Sequence, residues 1–117
     1  MRHKSTKITL DRKAAPRKAL LINLAESLVL YEKITTTKAK AKAVSSFVQK
    51  LITKAKKQDL ANRRELIKKL HTRNAVNKLM EVLGPRYQER KGGYTRITKS
   101  KNRVGDGAEE VVIELVK

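Results

Sequence analysis

Cysteine is absent from this sequence. That excludes disulfides, thiolate zinc sites and cysteine nucleophiles, and it leaves the redox compartment unmarked. Tryptophan is absent too, and the aromatic residues are Tyr31, Phe47, Tyr87 and Tyr94 alone. Readers of single-stranded nucleic acid rely on exposed aromatic platforms, so this scarcity points to recognition of shape and backbone over bases. Histidine occurs only as His3 and His71, a poor metal set without cysteine, and no metal is expected. No apolar run approaches the roughly 20 residues of a membrane span. No hydrophobic stretch suited to a secretory signal directly follows the basic start Met1-Arg2-His3-Lys4. The expectation is a soluble cytoplasmic protein with no membrane partner. Acid is scarce: 11 Asp plus Glu stand against 29 Lys plus Arg, a net charge of +18.

The 117 residues suffice for one domain. A chain of that size buries roughly two-thirds of the surface its unfolded form exposes, enough for a modest core. Charged residues make up 34% of the sequence, above the roughly 25% of an ordinary soluble domain. Self-repulsion at this charge opposes compaction, and a polyanion relieves it.

Residues 1–15 hold few large apolar side chains and are basic, with Arg2, Lys4, Lys7, Arg12 and Lys13 against Asp11. They are expected to be an arm that a partner orders. Residues 16–117 read as a single domain. Pro16 suits the first turn of a helix. Ala19 or Leu20, Leu24 and Leu28 repeat at helical spacing beyond it, joined by Leu21 and Ala25, up to about Tyr31. The β-branched run Lys33-Ile34-Thr35-Thr36-Thr37 favours a strand. Thr37 offers a hydroxyl cap to a second helix with Ala41, Val44, Val48, Leu51, Ile52 and Ala55 on one stripe. Asp59 reads as the cap of a third helix with Leu60, Ile67 and Leu70 inward, and Thr72 as the cap of a fourth with Val76, Leu79, Met80 and Leu83 inward. Gly84-Pro85 reads as its stop, with glycine at the C′ position. Tyr94–Val104 and Glu109–Val116 read as two strands of a hairpin around Gly105-Asp106-Gly107-Ala108. The fold expected is α+β: helix, strand, three helices and two strands, with a small sheet packed on helices and a basic N-terminal arm. Which strand lies centrally does not follow from the pattern.

Catalysis has little support. Neither a glycine-rich dinucleotide fingerprint nor a phosphate-loop motif occurs, and no nucleophile has a base at identifiable spacing. His71 falls at a helix end, where capping carbonyls is the common use, and Glu109 and Glu110 read as flanking a strand edge. No catalytic residue, cofactor or small-molecule substrate is expected.

Positive charge is the dominant signal, and it recurs along the chain. Lysines dominate the second helix, and residues 38–57 contain no acid. The stretch Arg86–Arg103 carries seven cations against Glu89 alone. Several patches on one small globule suit a partner that surrounds it, as folded RNA does. The residues expected to contact RNA are Arg2, His3, Lys4, Lys7, Arg12, Lys13, Arg17, Lys18, Lys38, Lys40, Lys42, Arg63, Arg64, Arg86, Arg90, Lys91, Gly92, Gly93, Tyr94, Arg96, Lys99, Lys101 and Arg103. Arginine forks grip phosphate bidentately, which favours Arg63, Arg64, Arg86, Arg90 and Arg96 for specific contacts. The lysine-rich helix reads as a general electrostatic surface. Gly92-Gly93 either lets backbone approach a phosphate or is a plain loop. Tyr87 and Tyr94 either stack on bases or pack the strand onto a helix, and Phe47 reads as core. Two rivals remain. A DNA-coating protein is permitted by charge, but no helix-turn-helix spacing or apolar wedge stands out. An RNA-modifying enzyme lacks an identifiable site.

The order of several segments carries a resemblance. Met1-Arg2-His3, Asn23-Leu24-Ala25-Glu26-Ser27-Leu28-Val29, Ile34-Thr35-Thr36-Thr37-Lys38-Ala39-Lys40-Ala41 and Leu51-Ile52-Thr53-Lys54-Ala55-Lys56 are followed by Asn62-Arg63-Arg64. Then come Leu83-Gly84-Pro85-Arg86-Tyr87, Gly92-Gly93-Tyr94-Thr95-Arg96-Ile97, Gly105-Asp106 and Ile113-Glu114-Leu115-Val116. Along nearly its whole length the sequence resembles the bacterial large-subunit ribosomal protein L-seventeen family. The resemblance implies a structural constituent of the large ribosomal subunit, present in one copy, that binds large-subunit ribosomal RNA. It implies neighbouring ribosomal proteins, among them those called L-twenty-two and L-thirty-two, and no catalytic residues or cofactor. Ala14-Ala15-Pro16-Arg17 stands where relatives often have Ser-Ser-His-Arg, which removes a hydroxyl cap and an imidazole but keeps a charge.

Overall fold

A computed structural model describes residues 14–102, 104, 105 and 107–117. Expectations for residues 1–13 and for Arg103 lie outside the described residues. Among the described residues, five α-helical stretches, one π-helical turn and three strands follow in chain order: α1 (Ala14–Tyr31), β1 (Lys33–Thr37), α2 (Lys38–Ala55), α3 (Leu60–Lys69), α4 (Arg73–Lys78), the π-helical turn (Leu79–Leu83), α5 (Gly84–Arg86), β2 (Thr95–Asn102) and β3 (Glu109–Leu115). The α4, π and α5 segments run on without a break, so the architecture is the expected α+β order.

The strands form one antiparallel sheet in the order β1-β3-β2, which makes β3 central. Ile34 pairs with Ile113, and Ile113 with Ile97 across the sheet. Side chains alternate along a strand, so Val111, Ile113 and Leu115 share one face and all are buried. Helices α1 and α2 cover that face. Val44, Val48, Leu51, Ile52 and Ala55 of α2 join Ala25, Leu28 and Val29 of α1 in a single core with Leu66, Leu79, Leu83 and the sheet residues. Each large aliphatic side chain buried this fully contributes about 1.5–3 kcal/mol. The sheet's other face presents Lys33, Thr35, Arg96 and Thr98 to solvent. Helix cover also fails toward the tip of the β2–β3 hairpin, where Ile97 is 38% exposed although it lies on the inner face. A register shift between Lys99 and Lys101 bends β2 there.

Helix ends differ from expectation in instructive ways. Helix α1 begins at Ala14, two residues before Pro16. Pro16 still falls in the first turn, where no N–H finds an intrahelical partner. Asp59 caps α3 as expected, accepting from the Asn62 amide at 2.8 Å. Thr37 and Thr72 occupy their cap positions, but neither hydroxyl caps its helix. Thr37 is fixed by its ladder pairing with Glu110. Thr72 donates both its amide and its hydroxyl to the buried Glu26 carboxylate, each at 2.6 Å. A charged acceptor binds a hydroxyl more strongly than a neutral one. In α3 the inward residues are Leu66 and Leu70, while Leu60 and Ile67 are 61% and 54% exposed, contrary to the expected stripe. A helix of 10 residues covers the core with only one edge of its surface.

Gly84-Pro85 does not stop the fourth helix. Gly84 stays right-handed helical, and its amide reaches back five residues to the Leu79 carbonyl. The Met80 carbonyl thereby loses its normal donor. The π-type partner of the Met80 carbonyl would be the nitrogen of Pro85, which has no N–H. Gln58 fills that gap: its side-chain amide donates to Met80 at 2.9 Å and to the Ala55 carbonyl at 2.8 Å. Glycine is needed at 84 for proximity rather than for backbone freedom. A Cβ there would lie 2.5 Å from the Ala55 carbonyl oxygen and 2.7 Å from Gln58 Nε2. Gly84→Ala is therefore expected to cost about 2 kcal/mol or more, through overpacking and loss of the Gln58 bridge. Urea unfolding measures this, and a midpoint equal to wild type would refute the close approach.

Candidate nucleic-acid interface

The expected contact residues fall on separate faces. Lys38 and Lys42 are exposed on the first turns of α2, with Lys40 partly covered. Arg17 and Lys18 of α1 line a groove together with Lys68 and Lys69 of α3. The adjacent Arg63 and Arg64 part company. Arg63 turns toward α4, where its guanidinium donates to Asn77 Oδ1 at 2.6 Å. There it lines a groove between α3 and α4 with His71, Arg73, Ile67 and Val76. Arg64 stands on the exposed side of α3. On the hairpin, Arg96 is 61% exposed and pairs with Glu114 at 3.2 Å, while Lys99 lies 3.9 Å from Glu109. Glu109 and Glu110 belong to the central strand, not to a sheet edge, and β2 stands between Glu109 and solvent on one side. Lys101 lies across from Glu110.

The loop from Tyr87 to Tyr94 is built differently from expectation. Tyr94 is buried, so its ring offers no stacking surface for a base. Its centroid lies 5.1 Å from that of Tyr87 in a tilted pair. The Tyr94 hydroxyl meets Lys56 Nζ at 3.1 Å and Thr53 Oγ1 at 3.5 Å. Burial disfavours the phenolate, but hydrogen bonds from Thr53 and Lys56 and the charges of Lys56 and Arg90 outweigh it, and the net effect lowers the Tyr94 pKa. Tyr87 is buried as well and donates its hydroxyl to the Val116 carbonyl. Both tyrosines therefore pack the strand start onto the helices. Arg90 folds back over the glycine pair, its Nε donating to the Gly92 and Gly93 carbonyls at 3.1 Å each. Gly93 adopts a φ of 63°, which glycine alone takes freely. The glycine pair is thus a turn stapled by Arg90, with Lys91 exposed beside it.

Arg86 is engaged by the fold itself. Its guanidinium binds the Glu32 carboxylate, which also meets Lys78 Nζ at 3.0 Å. Glu32 sits immediately after α1 at a φ of 63°. Its amide closes the helix on the Leu28 carbonyl at 2.7 Å, and its own carbonyl accepts from the Leu115 amide at 2.9 Å. Lys78 also caps the Leu30 carbonyl at 2.9 Å. The Arg86 hydrogen bond, reinforced by Lys78 and partly opposed by burial, pulls the Glu32 pKa from 4.5 down to about 2.

Sequence reasoning missed Glu26, Glu32, Lys56 and Gln58. Only Glu26 had a readable signal: it lies four residues after Ile22 and three before Val29, on the buried stripe of α1. Among the described residues, no group of three or more acids and histidines could hold a metal ion, and no helix is long and apolar enough to cross a membrane.

By class this is a small, strongly basic α+β protein in which several acids hold the fold and many cations are exposed. A family model described as Ribosomal protein L17 matches residues 20–116. The chain is similar to the large ribosomal subunit protein bL17 of Borrelia turicatae (strain 91E135), 51% identical over 107 residues that cover 92% of this chain and 86% of the relative. It is similar to the bL17 of Hydrogenobaculum sp. (strain Y04AAS1), 48% identical with all of both chains covered. It is 47% identical to that of Syntrophotalea carbinolica, covering 100% of this chain and 76% of the relative. The chain belongs to the Ribosomal protein L17 family, a family of structural rather than catalytic proteins.

The Glu32 cluster makes a pH prediction. The folded pKa is depressed, so its stabilisation is full above about pH 4.5 and is lost as pH falls through about 2. Glu32→Gln is expected to cost on the order of 1–2 kcal/mol near neutrality, less than the shift alone implies because water reaches part of the carboxylate. The stability gap between variant and wild type should close between about pH 4.5 and 2 in thermal unfolding. A gap independent of pH would refute the ionic origin.

Proposed function

We propose that this protein is a structural constituent of the large ribosomal subunit that binds and stabilises large-subunit ribosomal RNA during assembly and translation. The observation that carries this reading is the spread of cations over several faces of one rigid scaffold, in a chain whose relatives bear the name of large-subunit proteins. RNA segments meeting at this globule replace their condensed counterions with fixed lysines and arginines, while the core holds those charges in register. The protein acts in one copy per subunit, within the cytoplasmic ribosome, beside other ribosomal proteins, with L-twenty-two and L-thirty-two as the proposed neighbours.

The contacts divide by geometry. Lys38, Lys40 and Lys42 form a diffuse electrostatic surface on α2. Arg63, pre-set by Asn77, and Arg64 grip separate phosphates on either side of α3. Arg96, Lys99 and Lys101 extend on the hairpin. Arg90 and Arg86 shape the surface first, because each is already held by the fold. The basic segment 1–13 adds the cations of Arg2, Lys4, Lys7, Arg12 and Lys13.

Arg63→Ala with Arg64→Ala is expected to leave thermal stability nearly unchanged and to lower the salt slope of binding to large-subunit ribosomal RNA by about 1–2, one phosphate per arginine. Incorporation into large subunits in competition with wild type should fall several-fold. Equal incorporation and an equal slope would remove these two residues from the interface.

A further inference from the structure

The groove where α1, α2 and α3 meet carries an aromatic ring as well as cations. Its wall is apolar: Leu21 and Ile22 of α1 and Phe47 of α2. Its rim is cationic, with Lys18 on one side and Lys68 and Lys69 on the other, and among the described residues no acid lines it. It encloses about 400 Å³, within the range of small-ligand sites and ample for a base with its ribose. Phe47 is the chain's one phenylalanine, and it is only partly buried against the core. The three tyrosines are placed elsewhere.

Resting on the ribonucleoprotein reading above, we propose that this groove receives one unpaired nucleotide of the bound RNA. The base lies against Phe47 and Leu21, and its flanking phosphates lie on Lys18, Lys68 and Lys69. Charge complementarity selects this occupant. An apolar wall under a rim of cations calls for a flat, weakly polar body joined to anions on both sides, which describes an unstacked nucleotide. The chain's own segment 1–13 carries Arg2, Lys4, Lys7, Arg12 and Lys13 against one acid, a charge that does not complement a cationic rim. A ring on a base is also the contact that a purely electrostatic surface lacks, so the groove gives the protein one point of registration on its RNA.

The test uses the full-length protein and large-subunit ribosomal RNA transcribed from the source organism. Zero-length ultraviolet crosslinking followed by mass spectrometry is expected to find a nucleotide attached to the peptide containing Phe47. Phe47→Leu keeps the apolar volume and removes the ring. It is expected to bind roughly tenfold more weakly with an unchanged salt slope. Lys68→Ala with Lys69→Ala is expected to lower the slope instead. If wild type shows no salt-dependent affinity for the transcript, the RNA-binding reading itself fails. If wild type binds but yields no crosslink at Phe47, and Phe47→Leu binds equally, the nucleotide pocket is overturned while RNA binding stands. If Phe47→Leu fails to fold by circular dichroism, the wild-type crosslink decides alone. A photoreactive benzoylphenylalanine placed at 47 in assembled subunits separates the occupants: capture of RNA supports the proposal, and capture of a ribosomal protein or of residues 1–13 overturns it.

Discussion

A carboxylate in a left-handed corner holds the fold together. Glu32 ends α1 at a φ that most residues avoid, at a backbone cost on the order of 1 kcal/mol. The corner persists because four elements meet on it. Its amide terminates α1, its carbonyl receives the end of β3, and its side chain binds Lys78 from α4 and Arg86 from α5. Glycine would relieve the strain at this position but would remove the carboxylate that Lys78 and Arg86 share. Beyond Glu32, β1 begins directly at Lys33, so the corner also sets where the sheet starts relative to the helices.

The same economy of acids runs through the molecule. Glu26 anchors the α3–α4 junction through Thr72, Asp59 caps α3, Glu65 binds Lys54, and Glu114 steadies Arg96. Each of these four acids fastens an element end or a long basic side chain. Because acids are few and so engaged, the remaining cations set the field outside the protein. A protein with this charge gains most when a polyanion lies on several sides at once. Its core therefore acts chiefly to keep like charges close together at fixed spacing.

The π turn at Leu79–Leu83 solves a related problem inside the fold. Proline within a helix removes a donor and crowds the preceding turn. Widening that turn by one residue lets the helix continue to Arg86, which delivers its guanidinium to Glu32. A stop at Gly84, as the Gly-Pro pair suggests, would leave Arg86 in a loop and the corner with one cation fewer. Gln58 pairs the carbonyl that the widening orphans, so α2, the π turn and the Glu32 corner form one connected device.

The sequence by itself determined the α+β order, the strands Lys33–Thr37 and the β2–β3 hairpin, the buried stripe of α2 and the excess of cations. Those features depend on residue type and on periods of two or 3.6, which are local. Tertiary structure decided the rest, because long-range pairing overrode local preference. Thr72 turned from its own helix to Glu26, forty-six residues away. The central place of β3 follows from pairing with strands on both sides. Tyr94 is closed off because Lys56 and Thr53 of the second helix region claim its hydroxyl. Arg63 and Arg64, neighbours in sequence, point to different surroundings because successive residues on a helix stand about 100° apart. Charge could be counted along the chain, but its meeting with the wall of Leu21, Ile22 and Phe47 exists only because α1, α2 and α3 converge there.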